Sequence, residues 1–279
     1  MLPNLPVIAM AVLLAAAALP ALAAGSHDSC KGFIDALPTT ISTQGTWCLR
    51  KDLSTAMTSG GAITINTNNV TIDCNDFKLG GLAAGPGTNT HGIHAVSRLN
   101  ITVRNCAVRG FLNGVALVFG GGGHRVVDSR FEQNRFRGIW VEGSGNQVLR
   151  NLVLDTGDAA LGAIIIGIEA SGDVAGNTVD GVVNLSAGQR SEGIRLVGAG
   201  AVARDNHIRN LVPGSGTLAY GISAFAPSMT VRDNSIANPA PTSGVGVFGV
   251  VDTICMGNAV FKFATPIYNC QDGGGNASN

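Results

Sequence analysis

Charge is scarce in this chain. Only 13% of its 279 residues are Asp, Glu, Lys or Arg, and 18 basic groups cancel 18 acidic ones. A net charge of zero excludes whole-chain attraction to a polyanion, nucleic acid included. Aromatic residues are as thinly spread, at 5%, which suits thin stacked layers better than a globular α/β core. No segment sustains the i, i+3, i+4, i+7 apolar spacing of an amphipathic helix. Beyond Ala24 no apolar run is long enough to span a bilayer. No CxxC pair or His-rich spacing marks a metal centre. The run Gly120–Gly123 leads to His124 rather than to Lys-Ser/Thr and a helix, so it is no phosphate loop; it reads as a flexible bend.

What the chain does have is self-similarity. An apolar residue, two variable ones, a small polar one, another variable one and a second apolar residue recur eight times. The copies are Ile72–Phe77, Val103–Val108, Val126–Phe131, Val148–Val153, Val174–Val179, Ala203–Ile208, Val231–Ile236 and Cys255–Val260. Their polar centres, Asn75, Cys106, Ser129, Asn151, Asn177, Asn206, Asn234 and Asn258, lie 31, 23, 22, 26, 29, 28 and 24 residues apart. A second mark, a small residue followed by Ile or Val, keeps phase with the first at Ile63, Ile93, Val115, Ile139, Ile168, Ile194, Ile222 and Val247. Such a period signals a solenoid. The strand-like stretches are short and punctuated by Gly and Asn, and the coils are too short for a strand-plus-helix crossover at each turn. The leucine-rich frame L-x-x-L-x-L-x-x-N is missing. The fold class expected is all-β, a single-stranded right-handed parallel β-helix with a short N-terminal cap. The recurring Asn residues are read as architecture, their amides bonding the backbone of neighbouring turns.

The organisation follows. Residues 1–23, apolar, Ala-rich and ending in Ala21-Leu22-Ala23, read as a signal peptide, which implies a periplasmic or secreted protein. Residues 24–46 form the cap, with one short helix over Gly32–Leu37; residues 47–270 form the β-helix; residues 271–279, with nothing to bury, form a disordered tail. Six cysteines in an exported chain imply three disulfides among fifteen pairings. Cys30 and Cys48 share the N-terminal segment, Cys74 and Cys106 fall in adjacent repeats about one rung (~4.8 Å) apart, and Cys255 and Cys270 share the last repeat.

Thr46-Trp47-Cys48-Leu49, Asp52-Leu53, Ala62-Ile63-Thr64-Ile65 and Asn69-Val70-Thr71-Ile72-Asp73 resemble the opening coils of exported right-handed β-helix repeat proteins of pectate lyase-like architecture. The resemblance continues over residues 38–270. It implies fold strongly and function weakly; relatives of this architecture commonly act on acidic polysaccharides. The Asp-Pro-His-Asp of alginate epimerases, the Asp-Asp and Gly-His-Gly of polygalacturonases and the Arg-x-Pro-x-x-Arg of pectate lyases have no counterpart here, so no catalytic residue carries over.

Stacked coils bring equivalent positions into axial rows. The residue after each signature Ile or Val points outward, forming the row Thr64, His94, Ala116, Trp140, Glu169, Arg195, Ser223 and Phe248. The row two residues before the apolar mark is Gly61, His91, Asn113, Arg137, Ile166, Glu192 and Tyr220. Together they gather polar and aromatic groups on one long face. For uronate elimination or epimerisation, His91 or His94 would be the base and Arg137 the neutralising cation. Asn113, Trp140, Glu169, Glu192, Arg195 and Tyr220 would bind substrate, with Trp140 stacking on a sugar ring. Glu169 and Arg195 are also placed to pair with each other across rungs. Asp155, Asp158 and Asp173 lie near a long insertion and could bind Ca²⁺, yet their spacing matches no Ca²⁺ loop, so no cofactor is expected.

Residues 98–150 carry eight Arg against three acidic groups, and residues 151–279 six basic against ten acidic. A basic middle would attract an acidic glycan. The leading functional expectation is an exported protein that recognises a polysaccharide, acidic if those coils make the contact, with lyase or uronate epimerase chemistry as its catalytic form. The competing expectation is a non-catalytic envelope or surface scaffold.

Overall fold

The computed structural model describes residues 29–157 and 162–279. The chain winds as a right-handed parallel β-solenoid whose coils contribute short strands to three faces. The first face stacks eleven strands from Gly32–Ile34 through Val70–Asp73, Ile101–Arg104 and Asp173–Ala175 to Gln271–Asp272. The second runs from Leu53–Ser54 through Lys78–Gly80, Arg130–Glu132 and Thr178–Val183 to Ala277–Ser278. The third comprises Thr39–Ile41, Ser59–Ile65, Asn89–Leu99, Asn113–Gly122, Arg137–Val141, Ile165–Ala170, Ser191–Leu196 and Ala219–Ala224. The long strands Ser235–Phe248 and Ala259–Tyr268 turn the corner and join second face to third.

The two sequence marks become three interior rows. On the first face Ile72, Val103, Val126, Val148, Val174, Ala203, Val231 and Cys255 lie in register. On the third, the signature Ile and Val residues from Ile63 to Val247 do the same, and all are buried. The second-face row runs Leu79, Val108, Phe131, Val153, Val179, Ile208, Ile236 and Val260. Leu79, not the expected Phe77, is the member from its coil, and Leu53 precedes it in register. Asn75 and Asp76 both take positive φ, 47° and 63°, and this extra bend delays the row by two residues.

Glycine before the third-face Ile or Val is required by close approach. A Cβ on Gly167 would lie 2.6 Å from the carbonyl oxygen of Gly193, and one on Gly193 would lie 2.6 Å from that of Gly221. The backbones of successive coils touch there, and any side chain would force them apart.

The asparagine corner between first and second faces is a continuous ladder. The Oδ1 atoms of Asn151, Asn177, Asn206, Asn234, Asn258 and Asn276 each accept from the backbone N of the polar residue one coil back, at 2.9–3.2 Å. Each Nδ2 donates to a carbonyl of the preceding coil, as Asn177 does to Val148 at 2.8 Å, and Asn177 Nδ2 also donates to Asn206 Oδ1 at 3.0 Å. Buried donors that the bend would orphan are satisfied in this way. Ser129 performs a shortened version, accepting from Cys106 N and donating to Val127 O.

Disulfides join Cys30 to Cys48, Cys74 to Cys106 and Cys255 to Cys270, with Cα separations of 5.8, 4.7 and 5.7 Å. They fit a non-reducing environment. No helix among the described residues is long and apolar enough to cross a membrane. The expected signal peptide lies outside the described residues.

Two expectations about the ends are corrected. Gly32–Ile34 is a strand paired in parallel with Trp47–Leu49, not part of a helix; Ile34 is buried at the end of the core, and a strand continues the first face where a helix would break it. Residues 271–279 are ordered: Gln271–Asp272 and Ala277–Ser278 pair with the preceding coil. Backbone pairing and Asn276, which extends the ladder to Asn258, hold this segment without apolar burial.

His124 occupies a second corner, 1% exposed. Its Nδ1 accepts from Ile101 N at 3.3 Å, and its backbone N donates to Asn146 Oδ1 at 2.9 Å. Burial lowers its pKa to about 4, so folding favours the neutral ring. An unfolded His titrates near 6.5, so its contribution to stability is whole above that value and is lost as pH falls towards 4. Urea unfolding of wild type and His124→Asn across this window should show the wild type losing roughly 3 kcal/mol more than the variant. Parallel profiles would refute the assignment. Asn177→Ala should cost about 3 kcal/mol by orphaning Asn151 N and the Val148 carbonyl. Asn177→Ser, imitating Ser129, should cost less; equal urea midpoints for all three proteins would show the ladder to be without energetic weight.

Candidate functional site

The third face carries the two outward rows in the register expected. His94, Ala116, Trp140, Glu169, Arg195, Ser223 and Phe248 are consecutive Cα partners. So are His91, Asn113, Arg137, Ile166, Glu192 and Tyr220. The rows lie three residues apart, which strict alternation would put on opposite sides; the irregular backbone at the glycine between them turns both outward, and rungs about 4.8 Å apart bring long neighbours together.

Pointing outward does not leave these groups free. The Arg137 Nε donates to Glu169 Oε2 at 2.9 Å, and the Arg195 Nη1 lies 3.8 Å from the same oxygen. Arg195 forks onto Glu192 at 2.7 and 2.8 Å, Arg190 adds a contact at 3.2 Å, and the Ser223 hydroxyl donates to Glu192 at 2.6 Å. Glu192 is completely buried and Glu169 nearly so. Such a network specifies geometry more than it adds stability. Two carboxylates engaged in this way are not placed to work as an acid–base pair.

The histidines stand at one end of the face. The rings of His91 and His94 stack with centroids 4.6 Å apart, and Asn113 Nδ2 donates to His91 Nδ1 at 3.0 Å. Burial, then the neighbouring His94 and Arg137, lowers the pKa of His91 to about 4, and burial lowers that of His94. Both shifts favour the neutral ring. A base so weak has little driving force for taking a carbon-bound proton. Asn113 is 1% exposed and bonded to His91, and Glu192 is buried beneath Arg195, because long neighbouring side chains close over short or central ones.

The aromatic groups are what the face shows to solvent. Phe119, which sequence reading missed, is 63% exposed and meets Trp140 edge-on at 5.9 Å. It takes φ 59° in an irregularity of its strand, and its backbone N donates to Glu142 Oε2. The same carboxylate accepts from Trp140 Nε1 at 3.1 Å. Arg137 lies over both Phe136 and Trp140, at 4.0 and 4.3 Å. Further along the axis Tyr220, Phe248 and Tyr268 stack nearly parallel at 5.4 and 5.6 Å, with Phe225 tilted against Phe248. Phe225 and Tyr268 are 40% and 53% exposed, and neither was singled out from the sequence.

The glycine run after Phe119 is packed, not a flexible bend. A Cβ on Gly121 would sit 1.8 Å from the Arg98 carbonyl oxygen, so the close contact itself demands glycine. Without this bulge Phe119 would continue the strand alternation instead of turning towards Trp140.

The arginines of the basic middle do not form one stripe. Arg104 and Arg125 belong to the first face, Arg109 and Arg130 to the second, and Arg137 to the third. Arg104 pairs with Asp73, Arg150 with Asp128, and both Arg109 and Arg130 with Glu132. Nor do the candidate Ca²⁺ ligands converge. Asp155 lines a cleft of about 470 Å³ between second and third faces, with Arg135 and Thr156. Asp173 lies on the first face and pairs with Arg204. Asp158 lies outside the described residues. No cluster of three metal-binding side chains occurs among the described residues.

Similarity to known proteins is confined to this architecture. No curated protein matches the chain. Among solved structures, it is similar to the Dettilon tailspike protein (TM-score 0.49, 17% identity, covering 88% of this chain and 56% of that one). It is also similar to the Agl-KA catalytic domain (0.41, 12%, 86% and 55%). A third is a tailspike protein of E. coli bacteriophage HK620 in complex with a pentasaccharide (0.43, 11%, 86% and 60%). The chain thus spans little more than half the length of each. The family described as the right handed beta helix region matches residues 91–252. That match covers more than half of the sequence and coincides with the coils whose rows build the third face: the chain belongs to the right-handed β-helix family.

Proposed function

We propose that the third face binds a polysaccharide laid along the solenoid axis and holds it without turnover, in a non-reducing compartment outside the cytoplasm. The observation that carries this reading is the series of solvent-facing aromatic rings, Phe119, Trp140, Phe225, Phe248 and Tyr268, on and beside the rows that hold a fixed Arg–Glu network. Apolar sugar faces stack on such rings. Hydroxyl groups find acceptors in Glu142 and donors in the outer nitrogens of Arg190 and Arg195. Because the ion pairs are already formed, the face meets its ligand with little reordering, which favours affinity.

Binding fits the arrangement better than lyase or epimerase chemistry. The only neutral imidazoles on the face are weak bases, the guanidinium proposed to neutralise an enolate is bound to Glu169, and Glu192 is closed to solvent. Carbohydrate arrays, followed by affinity electrophoresis in the polymer identified, test the reading. Trp140→Ala should raise Kd about tenfold, the equivalent of about 1.4 kcal/mol, while thermal unfolding stays near wild type. No ultraviolet-absorbing unsaturated product should accumulate. Unchanged affinity in the variant would move the ligand to another face, and product formation would restore the lyase reading.

A further inference from the structure

We propose that the polysaccharide taken by the third face is uncharged. This rests on the glycan-binding reading above and narrows it by the charge balance of the site.

Three guanidinium groups, Arg137, Arg190 and Arg195, face three carboxylates, Glu142, Glu169 and Glu192. Both imidazoles at the end of the face favour the neutral form, for the reasons of burial given above. The charged groups of the two rows and their immediate partners therefore sum to zero, and Arg98, at the end of the strand Asn89–Leu99, is turned onto Asn66. Its cations are also committed. A uronate or sulfate meeting the outer nitrogens of Arg195 would share that guanidinium with Glu192, which is fully buried and bonded to Arg190, Arg195 and Ser223. The new pair would be offset by repulsion from that carboxylate and by weakening of the pairing that its burial demands. At the other aromatic station Glu142 is bonded to the indole Nε1 of Trp140, while Arg137 over the ring is already paired with Glu169. An anionic sugar stacked on Trp140 would lie beside a like charge.

A neutral sugar meets none of these penalties. Its ring stacks on Phe119 and Trp140 at one station and on Phe225 or Tyr268 at the other, and its hydroxyls donate to carboxylate oxygens that arginine pairing leaves in place. The first station lies at the rung of Trp140, and the second begins three rungs on, at Tyr220. That is roughly 14 Å along the axis. A chain of several sugar units, not a disaccharide, is needed to engage both.

Affinity electrophoresis of the whole protein in neutral polymers (β-glucan, galactomannan, xylan, mannan) and acidic ones (polygalacturonate, alginate) tests the inference. At least one neutral polymer should retard the protein, with affinity constant within about twofold between dilute and concentrated sodium chloride. The acidic polymers should bind at least about tenfold more weakly. Glu142→Gln, a change at a partly exposed position, should raise affinity for alginate about threefold or more by uncovering positive charge at Trp140. Tightest binding to an acidic polymer, weakened by salt, would overturn the inference and leave glycan binding standing. An unaltered alginate affinity in Glu142→Gln would likewise overturn the charge-balance account. Retardation by no polymer of either class would overturn glycan binding itself, and the inference with it.

Discussion

The hydrogen bond directed along the solenoid axis is the constraint on which the rest depends. In each coil, strand amides and carbonyls pair with the coils before and after, and at the bends, where strand pairing fails, asparagine amides substitute for it. Asn177 alone joins three successive coils through Asn151, Val148 and Asn206. With register fixed in this way, every side chain has a determined neighbour one coil away. The interior rows of Ile and Val follow from that, and so does the close backbone approach at Gly167 and Gly193.

The same register makes the third face what it is. Glu169 lies between Trp140 and Arg195 because three strands are held in step, not because the residues are near in sequence. A charged row in a solenoid has two outcomes: like charges repel along the whole axis, or opposite charges interlock. Here Arg137, Glu169, Arg195 and Glu192 interlock, and their desolvation is tolerated because each is bonded to the next. The aromatic rings remain outside this network, supported from beneath by guanidinium groups stacked on Trp140, Tyr220 and Phe225. The result is a firm apolar surface on a polar bed.

Much of this was legible in the sequence, since a repeat translates directly into rows. The eight signature positions from Ile63 to Val247, the corner asparagines and the two outward rows needed only the assumption of stacking. What escaped was whatever breaks the repeat or depends on side-chain length. The two-residue bend at Asn75 and Asp76 moved Phe77 out of the interior row to a place packed against the core. Phe119 lies on no regular row, and only the glycines behind it signalled a bulge. Phe225 stands one residue past its strand, and Tyr268 belongs to a coil with no recognised polar centre of its own. Burial of Asn113 and Glu192 was invisible because alternation gives direction, not coverage. The roles proposed for the histidines and carboxylates depended on their being available, and availability is set by partners several coils away.

The placement of the cross-links has a further consequence. In a linear array each interior coil is braced from two sides and each outermost one from a single side, so fraying begins at the extremities. Cys30–Cys48 and Cys74–Cys106 fall in the opening coils and Cys255–Cys270 in the closing ones, leaving the long middle to non-covalent forces. Covalent bonds thus guard the two places where peeling would start, and a thiol reductant would act less as a general denaturant than as a key to both doors. Amide protons near Trp140 and Glu169 would be the last to exchange, protected by distance from either opening.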